Sequence, residues 1–392
     1  MQLSPAAEAA RYVDSLGPEA LAKAQSYTLG NHWLILTGII VSAFVTWLII
    51  RSGVLDRVSA RLEKRGWALR TFLVAATFLL VDTIFTLPYA LYTDWWRETQ
   101  YGRTSQPLGD FLGQAALSTM LSVLLGGLFL LGVYWLIRKT GRQWWLWGGA
   151  LTASAIAFLL LVSPALIEPL FNEYKPIPEG EVRDAVLALA AEAGVPEDRV
   201  FMYDGSRQSN NFTANVSGVG STARIAISDV AMGEASLDEV KAVTGHEIGH
   251  YVLGHVWLIV AVLGILSVLV LYLVSRLYPW FARKFGTNAE LADPRGLPVF
   301  MFLFATLLTL FQPAFNSLSR VDESAADAYS LEHVGLPDAL SLALIKTAEY
   351  RYPRPTKWQE ILFYTHPSVE NRVLAAMEWK ARHPAAVEPA TK

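Results

Sequence analysis

Six apolar stretches of about twenty residues each constrain the fold of this chain more than any other feature. A helix needs about 17 to 25 apolar residues to cross the hydrocarbon core of a bilayer, and each stretch is close to that length. The composition agrees, with 53% hydrophobic and 17% charged residues and a mean hydropathy of +0.32. We therefore predict a mainly α-helical, polytopic membrane protein. The predicted spans are residues 33–50, 71–92, 111–137, 144–167, 252–275 and 297–315.

The spans divide the chain into membrane and extramembrane parts. A polar stretch between the fourth and fifth spans has mixed helical and alternating periodicity, which predicts a small α+β region. Its helix is expected over residues 181–193 and its strands over residues 200–203, 214–219 and 223–228. The predicted parts are a polar N-terminal segment (1–31), four transmembrane helices (32–171), the α+β region (172–245), the fifth and sixth spans with the helix before them (236–320), C-terminal helices (317–382) and a Pro- and Ala-rich disordered tail (383–392).

A helix that carries two histidines is predicted just before the fifth span. Ser236 and Glu239 fit a capping box, so the helix should begin there and continue into that span. His246 and His250 stand at positions i and i+4, where both imidazoles can reach one tetrahedral Zn²⁺. Glu247 follows the first histidine and can take a proton from an attacking water. These residue types in this order predict metal-assisted hydrolysis.

The third metal ligand is expected to come from another part of the chain. The chain has no cysteine, so the ligand must be His, Asp or Glu. A longer zinc motif, in which a third histidine follows the pair, does not match this sequence. It requires glycine and histidine at the positions of Leu253 and Val256. His255 is one position short of that pattern, and in a continuous helix it would point away from the metal.

The segment after the sixth span supplies the best candidate ligand. Consecutive spans run antiparallel, so the end of the sixth span should meet the beginning of the fifth. Glu323 lies at that end and is predicted to bind the metal, with Asp322 as a possible substitute. Asp327 lies one helical turn later and can accept the free N–H of a ligand histidine.

Three motifs in order resemble the zinc-dependent CAAX prenyl protease 1 family of integral-membrane endopeptidases. The resemblance runs across most of the chain. The motifs are His246-Glu247-Ile248-Gly249-His250 with Gly254-His255, then Ser319-Arg320-x-x-Glu323-x-x-Ala326-Asp327, and finally Thr365-His366-Pro367-x-x-x-x-Arg372.

This resemblance implies a transmembrane helical barrel that encloses a water-filled chamber and is closed by a small α+β, gluzincin-like zinc metalloprotease domain. It also implies one Zn²⁺ per chain, held by His246, His250 and Glu323. Glu247 would be the general base, and Asp327 would orient a ligand histidine.

The resemblance also implies a set of residues near the substrate. His366 and Arg372 would lie beside it; His366 either donates to the developing oxyanion or caps a loop. Thr213, Asn215 and Ser217 would belong to an edge strand that pairs with the substrate backbone, although an internal strand is the alternative. Two features depart from the family: eukaryotic members have seven spans rather than six, and their Asn-Ala-Tyr segment is replaced by Thr213-Ala214-Asn215 here.

The sequence leaves three functions open. The first is a protease that processes the C-termini of prenylated, CAAX-type proteins or peptides. The second is a membrane quality-control zinc protease of the heat-shock type, and the third is a non-catalytic transporter or lipid-binding protein with structural zinc. The expected partners are a peptide or lipidated protein substrate and the lipid bilayer, and no oligomeric state is specified. Nucleic acid is not expected, because a net charge of −3 shows no basic excess.

Two separate questions concern location: which cellular membrane holds the protein, and which face of that membrane carries the metal site. The chain is expected in the inner membrane of a bacterial cell or in the endoplasmic reticulum of a eukaryotic one. The positive-inside rule places the basic loops 51–70, 138–142 and 276–295 in the cytoplasm, which puts the metal site on the opposite face. The resemblance instead implies a site that faces the cytosol, so both orientations stay open.

Overall fold

Helices form most of the protein in a computed structural model that describes residues 3–196, 199–218, 223–348 and 350–384. Residue 219, at the end of a predicted strand, and residues 385–392 of the predicted disordered tail lie outside the described residues. The helices are α1 (Pro5–Asp14), α2 (Gly17–Ser52), α3 (Val54–Arg61), α4 (Trp67–Ala90), α5 (Arg97–Gln100), α6 (Leu108–Leu121), α7 (Gly127–Thr140), α8 (Trp144–Val162), α9 (Glu181–Glu192), α10 (Asp229–Glu234), α11 (Leu237–Val252), α12 (His255–Phe285), α13 (Leu297–His333), α14 (Pro337–Thr347), α15 (Lys357–Phe363) and α16 (Val369–Arg382).

Five continuous helical segments in the described residues are long and apolar enough to cross a membrane. One of them, with 63 residues, is a run of consecutive helices from α6 to α8. It contains two of the six predicted spans, because the chain reverses direction at Gly141, where φ is +55°. The two arms lie side by side, since a Cβ atom on Gly132 of α7 would be 3.1 Å from Leu151 of α8. The five segments are Gly17–Ser52, Trp67–Gln100, Leu108–Leu170, His255–Phe285 and Pro294–His333.

The membrane helices close into a ring. In order, α2 packs on α4, α4 on α7, α7 on α8, α8 on α12, α12 on α13, and α13 returns to α2. The closest approach uses Gly149 of α8, where a Cβ atom would lie 3.0 Å from the backbone nitrogen of Val268 on α12. The largest apolar core, which includes Val74, Tyr134 and Leu271, joins these helices at one end of the ring. The prediction of a helical barrel is therefore confirmed.

The polar N-terminal segment is helical and belongs to two parts of the fold. Helix α1 packs against α16, and Tyr12 donates a 2.7 Å hydrogen bond to Asp338 in the first turn of α14. Residues 17–31 are the first turns of α2, so the boundary predicted at residue 31 falls inside a continuous helix. Loss of apolar character ends a membrane span but does not end a helix, because Ala, Leu, Lys and Glu all favour helix.

A four-stranded sheet forms the small α+β region, as predicted. Strands β1 (Tyr174–Pro176), β2 (Val200–Tyr203), β3 (Ala214–Ser217) and β4 (Arg224–Ser228) have the order β1-β2-β4-β3, so β3 lies at an edge. Strands β2 and β4 are parallel, whereas the other pairs are antiparallel. The sequence did not predict β1, which has three residues and ends in a proline.

The helix with the two histidines differs from the prediction at its C-terminal end. Ser236 and Glu239 form the predicted capping box at its start. The expected continuous helix into the fifth span is wrong, because α11 ends at Val252 and α12 begins at His255. Between them Gly254 has φ of +71°, a left-handed conformation that interrupts the helix at little cost for glycine.

Two glycines of α11 allow this helix to lie directly on α13. A Cβ atom on Gly249 would be 3.0 Å from Cβ of Tyr329 and 3.2 Å from Cα of Ala326. Gly245, one turn earlier, faces Val334 and Ser330 of the same partner at similarly short range. Because one of these neighbours is backbone, the helices would have to separate to admit a side chain.

We therefore expect Gly249→Ala to destabilise the protein by about 1–3 kcal/mol through overpacking and to reduce its bound metal. The measurements are the melting temperature and metal content of the purified protein in detergent. Gly233→Ala is the matched control, since a Cβ atom there would meet no described atom within 4 Å. Equal melting temperatures and metal contents for the two variants would contradict the role assigned to this helix crossing.

Candidate active site

Three donor side chains from α11 and α13 converge near the end of the membrane ring. His246 Nε2 lies 3.2 Å from His250 Nε2 and 3.3 Å from Glu323 Oε2, and His250 Nε2 lies 3.6 Å from Glu323 Oε1. His246 and Glu323 are buried, and His250 is partly exposed. The structure thus brings together the three residues that the sequence predicted as metal ligands.

The charges around these donors suit a cation. Glu323 Oε2 is buried and no described group meets it with good hydrogen-bond geometry, although His246 Nε2 lies 3.3 Å away, so this carboxylate oxygen faces the imidazoles. Burial opposes a charge on His246, but the carboxylates of Asp327 and Glu323 outweigh it and raise its pKa to about 9. A metal that binds at Nε2 takes the place of this proton and meets the same two carboxylates. Burial lowers the pKa of His250 to about 4, which leaves that imidazole neutral, as a metal ligand must be.

Asp327 fixes the first histidine and is itself held by an arginine. Its Oδ1 lies 2.9 Å from His246 Nδ1, and Arg372 donates to both carboxylate oxygens at 2.7 Å. A histidine that donates from Nδ1 leaves the Nε2 lone pair free, and here Nε2 faces the other two donors. Arg372 lines the cavity described below, but its guanidinium is engaged by Asp327.

His255 and Asp322 continue the contacts behind the second histidine. His250 Nδ1 lies 2.8 Å from His255 Nδ1, and His255 Nε2 faces Asp322 Oδ1 at 4.0 Å. One of the two Nδ1 atoms must carry a proton. If His250 offers Nε2 to a metal, that proton is on its own Nδ1 and His255 is the acceptor.

The sequence placed neither His255 nor Asp322 in this role. His255 lies outside the donor group, as expected, but the turn at Gly254 brings it back onto His250 instead of pointing it away. Asp322 also lies outside the donor group. The spacing of His255 after the motif was a visible signal, but its meaning depended on a helix break that periodicity does not reveal.

A cavity of about 230 Å³ opens beside the donor atoms. Its walls include His246, Glu247, His366 and the residues that lead into the edge strand. Glu247 lies beside β3 in this cavity, close enough for the backbone N–H of Val216 to favour its ionised form. Burial raises the pKa of Glu247 to about 7, so this carboxyl group can gain and lose a proton near neutral pH.

His366 contacts the donor group directly. Its Nε2 lies 3.0 Å from Glu323 Oε1, and its Nδ1 lies 2.8 Å from the hydroxyl of Thr365. Burial lowers the pKa of His366 to about 4, so the ring is neutral at neutral pH. The residue therefore borders both the candidate ligands and the open cavity.

The three predicted edge-strand residues have different surroundings. Thr213 lines the cavity, and its hydroxyl lies 2.8 Å from that of Tyr203. Asn215 Oδ1 is buried and has no hydrogen-bond partner among the described groups. Ser217 accepts a 3.3 Å hydrogen bond from Arg224 of the neighbouring strand, so its side chain is used within the sheet.

Comparison with known proteins agrees with this architecture. The profile of Peptidase family M48 matches residues 176–380, and the profile described as CAAX prenyl protease N-terminal, five membrane helices, matches residues 5–173. The chain is 29% identical over 321 residues to the uncharacterized metalloprotease YhfN of Bacillus subtilis, over 80% of this chain and 75% of the relative. It is 28% identical over 349 residues to the CAAX prenyl protease 1 homolog of Oryza sativa, over 87% of this chain and 81% of the relative.

A solved structure has the same fold. The crystal structure of S. mikatae Ste24p superposes with a TM-score of 0.73 and 23% sequence identity, over 92% of this chain and 88% of that chain. The predicted fold class, a mainly α-helical polytopic barrel with a small α+β domain, is confirmed.

A ring of membrane helices with a His-His-Glu donor group and a partly buried glutamate at one end defines a class of protein, the multi-pass membrane metalloendopeptidases. The M48 profile matches more than half of the chain. The protein therefore belongs to peptidase family M48. This membership favours the two protease functions over the non-catalytic one.

The contact between His250 and His255 predicts that His255 controls metal affinity. Loss of a hydrogen-bond partner behind a ligand histidine typically costs about 10–100-fold in affinity, and we expect His255→Ala to show that loss in a chelator-competition titration. His255→Gln should recover part of it, because the amide oxygen can accept the same proton. His333→Ala is the control, since this exposed histidine stacks on Tyr329 away from the donors. Wild-type affinity in His255→Ala would refute the assignment.

Proposed function

We propose that the protein is a zinc-dependent endopeptidase that processes the C-termini of prenylated, CAAX-type proteins or peptides at the membrane. The observation that carries this proposal is the position of Glu247, beside the donor atoms and an edge strand in one cavity. That arrangement places a proton acceptor where a peptide backbone can lie.

The donor set fits zinc. Ligand atoms about 2.0–2.1 Å from a tetrahedral Zn²⁺ lie about 3.3–3.4 Å from one another. His246 Nε2 lies 3.2 Å from His250 Nε2 and 3.3 Å from Glu323 Oε2, close to that tetrahedral edge, and His250 Nε2 lies 3.6 Å from the other carboxylate oxygen, Oε1. One donor atom from each residue can be chosen so that all three lie within 4.8 Å of one another. Two imidazoles and one carboxylate also form a catalytic type of zinc site, which keeps its fourth position open.

Different residues of this chain have different roles in the proposed reaction. When bound, zinc supplies Lewis acidity, which polarises a carbonyl group and makes water a stronger acid. Glu247 takes the proton from the attacking water and delivers it to the leaving amine. His366 borders the same cavity, and its Nε2 would have to turn from its 3.0 Å contact with Glu323 Oε1 to donate to the carbonyl oxygen as negative charge develops there. Asp327 keeps His246 in the required tautomer, and Arg372 keeps Asp327 in place.

The substrate backbone is proposed to add to the sheet at β3. This strand is at the edge of the described sheet, and residues 212–214 line the cavity before it. A peptide that pairs with the free side of an edge strand receives backbone hydrogen bonds whatever its sequence, which is how an endopeptidase can hold many substrates. Thr213 lines the cavity and Asn215 Oδ1 has no hydrogen-bond partner among the described groups, whereas Ser217 is engaged by Arg224.

The prenylated substrate is proposed on two grounds. The rice relative bears the name CAAX prenyl protease 1 homolog, and the cavity lies where the ring of membrane helices meets the extramembrane part. A substrate with a lipid near its cleavage site could leave the lipid among the membrane helices while its peptide reaches Glu247. A quality-control protease would have no need for the lipid.

Glu247→Gln should retain zinc and lose turnover by about 10²–10⁴-fold, because the amide cannot accept the proton. Zinc content by elemental analysis and hydrolysis of a labelled peptide test the two halves of this expectation. Glu234→Gln is the matched control on the neighbouring α10 and should cleave at the wild-type rate. If Glu247→Gln cleaved as fast as the wild type, the proposed mechanism would be wrong.

A pair of peptides with and without a farnesyl group tests the substrate class. We expect the farnesylated peptide to be cleaved faster by the purified protein in detergent or vesicles, and we expect removal of zinc with a chelator to abolish cleavage of both. Readdition of Zn²⁺ should restore activity. Equal rates for the two peptides would instead favour the quality-control function.

A further inference from the structure

A second cavity of about 150 Å³ adjoins the first. The two share Tyr350, Arg351 and His366 as walls, so the second cavity continues the first beyond the candidate catalytic residues. Its far side is formed by α2, where His32 stacks on Phe363 with a ring separation of 4.0 Å. Together the cavities reach the lower part of the range of about 300–1,000 Å³ typical of ligand sites, so they accept only a short peptide.

Arg351 borders both cavities and has no ion-pair partner among the described residues. Among the described residues, no carboxylate lies within ion-pair distance of its guanidinium. The guanidinium carbon lies 5.5 Å from the centre of the Tyr350 ring. Burial lowers the pKa of Arg351, as expected for a cation withdrawn from water without a counter-ion. Such a charge is costly to bury, and a ligand with negative charge would compensate it.

Two other arginines near the site are paired with carboxylates of the chain. Arg354, three residues later, donates 2.7 Å hydrogen bonds to Asp14 and Glu370. Arg372 makes its two-point contact with Asp327. The planar guanidinium fork matches a carboxylate in this way, so the free fork of Arg351 is suited to a carboxylate that is not part of the chain.

The position of Arg351 indicates which carboxylate this is. A peptide paired with β3 and cleaved beside Glu247 passes His366, and the chain beyond the cleaved bond then reaches Arg351. Helix α2 forms the far wall of this second cavity, and its small volume leaves room for only a short stretch of peptide beyond His366, so we place the end of the peptide there. The group at that end is the C-terminal carboxylate.

We propose that Arg351 binds the C-terminal carboxylate of the substrate, so that the enzyme selects cleavage sites within a few residues of a free C-terminus. This inference rests on the proposed endopeptidase function and adds the group that sets the distance from the cleaved bond to the chain end. Arg351 is a binding residue in this scheme and takes no part in proton transfer.

The test compares two peptides that differ only at the C-terminus, one a free acid and one an amide, with no acidic residue after the cleaved bond. For the full-length wild type, we expect kcat/KM to be at least about tenfold higher for the acid, as for loss of a charge-assisted hydrogen bond. Arg351→Gln should bring this ratio close to one, and Arg351→Lys should give an intermediate ratio. Lys357→Gln, which removes an exposed charge six residues away, should keep the wild-type ratio.

The outcomes separate this inference from the proposed function. Cleavage of both peptides by the wild type at equal rates would overturn the role of Arg351 and leave the endopeptidase intact. Cleavage of neither, with zinc bound, would overturn the proposed function and the inference with it. An amidated peptide with a terminal glutamate that is cleaved like the free acid would assign the contact to a side chain and overturn the C-terminal assignment.

A binding measurement covers the case in which Arg351→Gln alters activity by misfolding. In the Glu247→Gln background, the dissociation constants of the acid and amide peptides are compared with and without Arg351→Gln. We expect at least about a tenfold preference for the acid, lost in the double variant, with unchanged zinc content and melting temperature. Equal affinities in the Glu247→Gln background would overturn the proposal without any reference to turnover.

Discussion

The close crossing of α11 and α13 is the constraint on which the rest of the site depends. Gly249 lets the two backbones approach until a Cβ atom would lie 3.2 Å from Ala326 Cα, and at that separation His246 and His250 reach Glu323. Helix α13 is also a member of the membrane ring and extends without interruption into the site. The geometry of the candidate ligands is therefore fixed by how the membrane helices pack.

One helix organises the site on both sides of Glu323. Asp327 contacts the outer nitrogen of His246, and Asp322 faces His255, which contacts the outer nitrogen of His250. The two histidines are thus oriented by carboxylates from the same helix that supplies the third candidate ligand. A displacement of α13 would move the candidate ligand Glu323 and both orienting carboxylates together.

Local patterns in the sequence predicted much of this arrangement. The apolar runs gave the membrane helices, the capping box gave the start of α11, and the antiparallel order of spans placed Glu323 near the histidines. Features that arise from packing between distant segments were missed. The break at Gly254 turns His255 back onto His250, and the lack of a counter-ion for Arg351 among the described residues is visible only once those residues have positions in three dimensions. Periodicity carries no information about either.

Helix α2 is one rod of 36 residues, which at 1.5 Å per residue is about 54 Å long. The C-terminal part of α2 belongs to the membrane ring, whereas His32, in its N-terminal half, forms a wall of the second cavity. A rigid rod cannot lean in the bilayer without moving both of its ends. The thickness of the surrounding lipid, which governs how far such a helix tilts, is therefore mechanically coupled to the space available for a substrate.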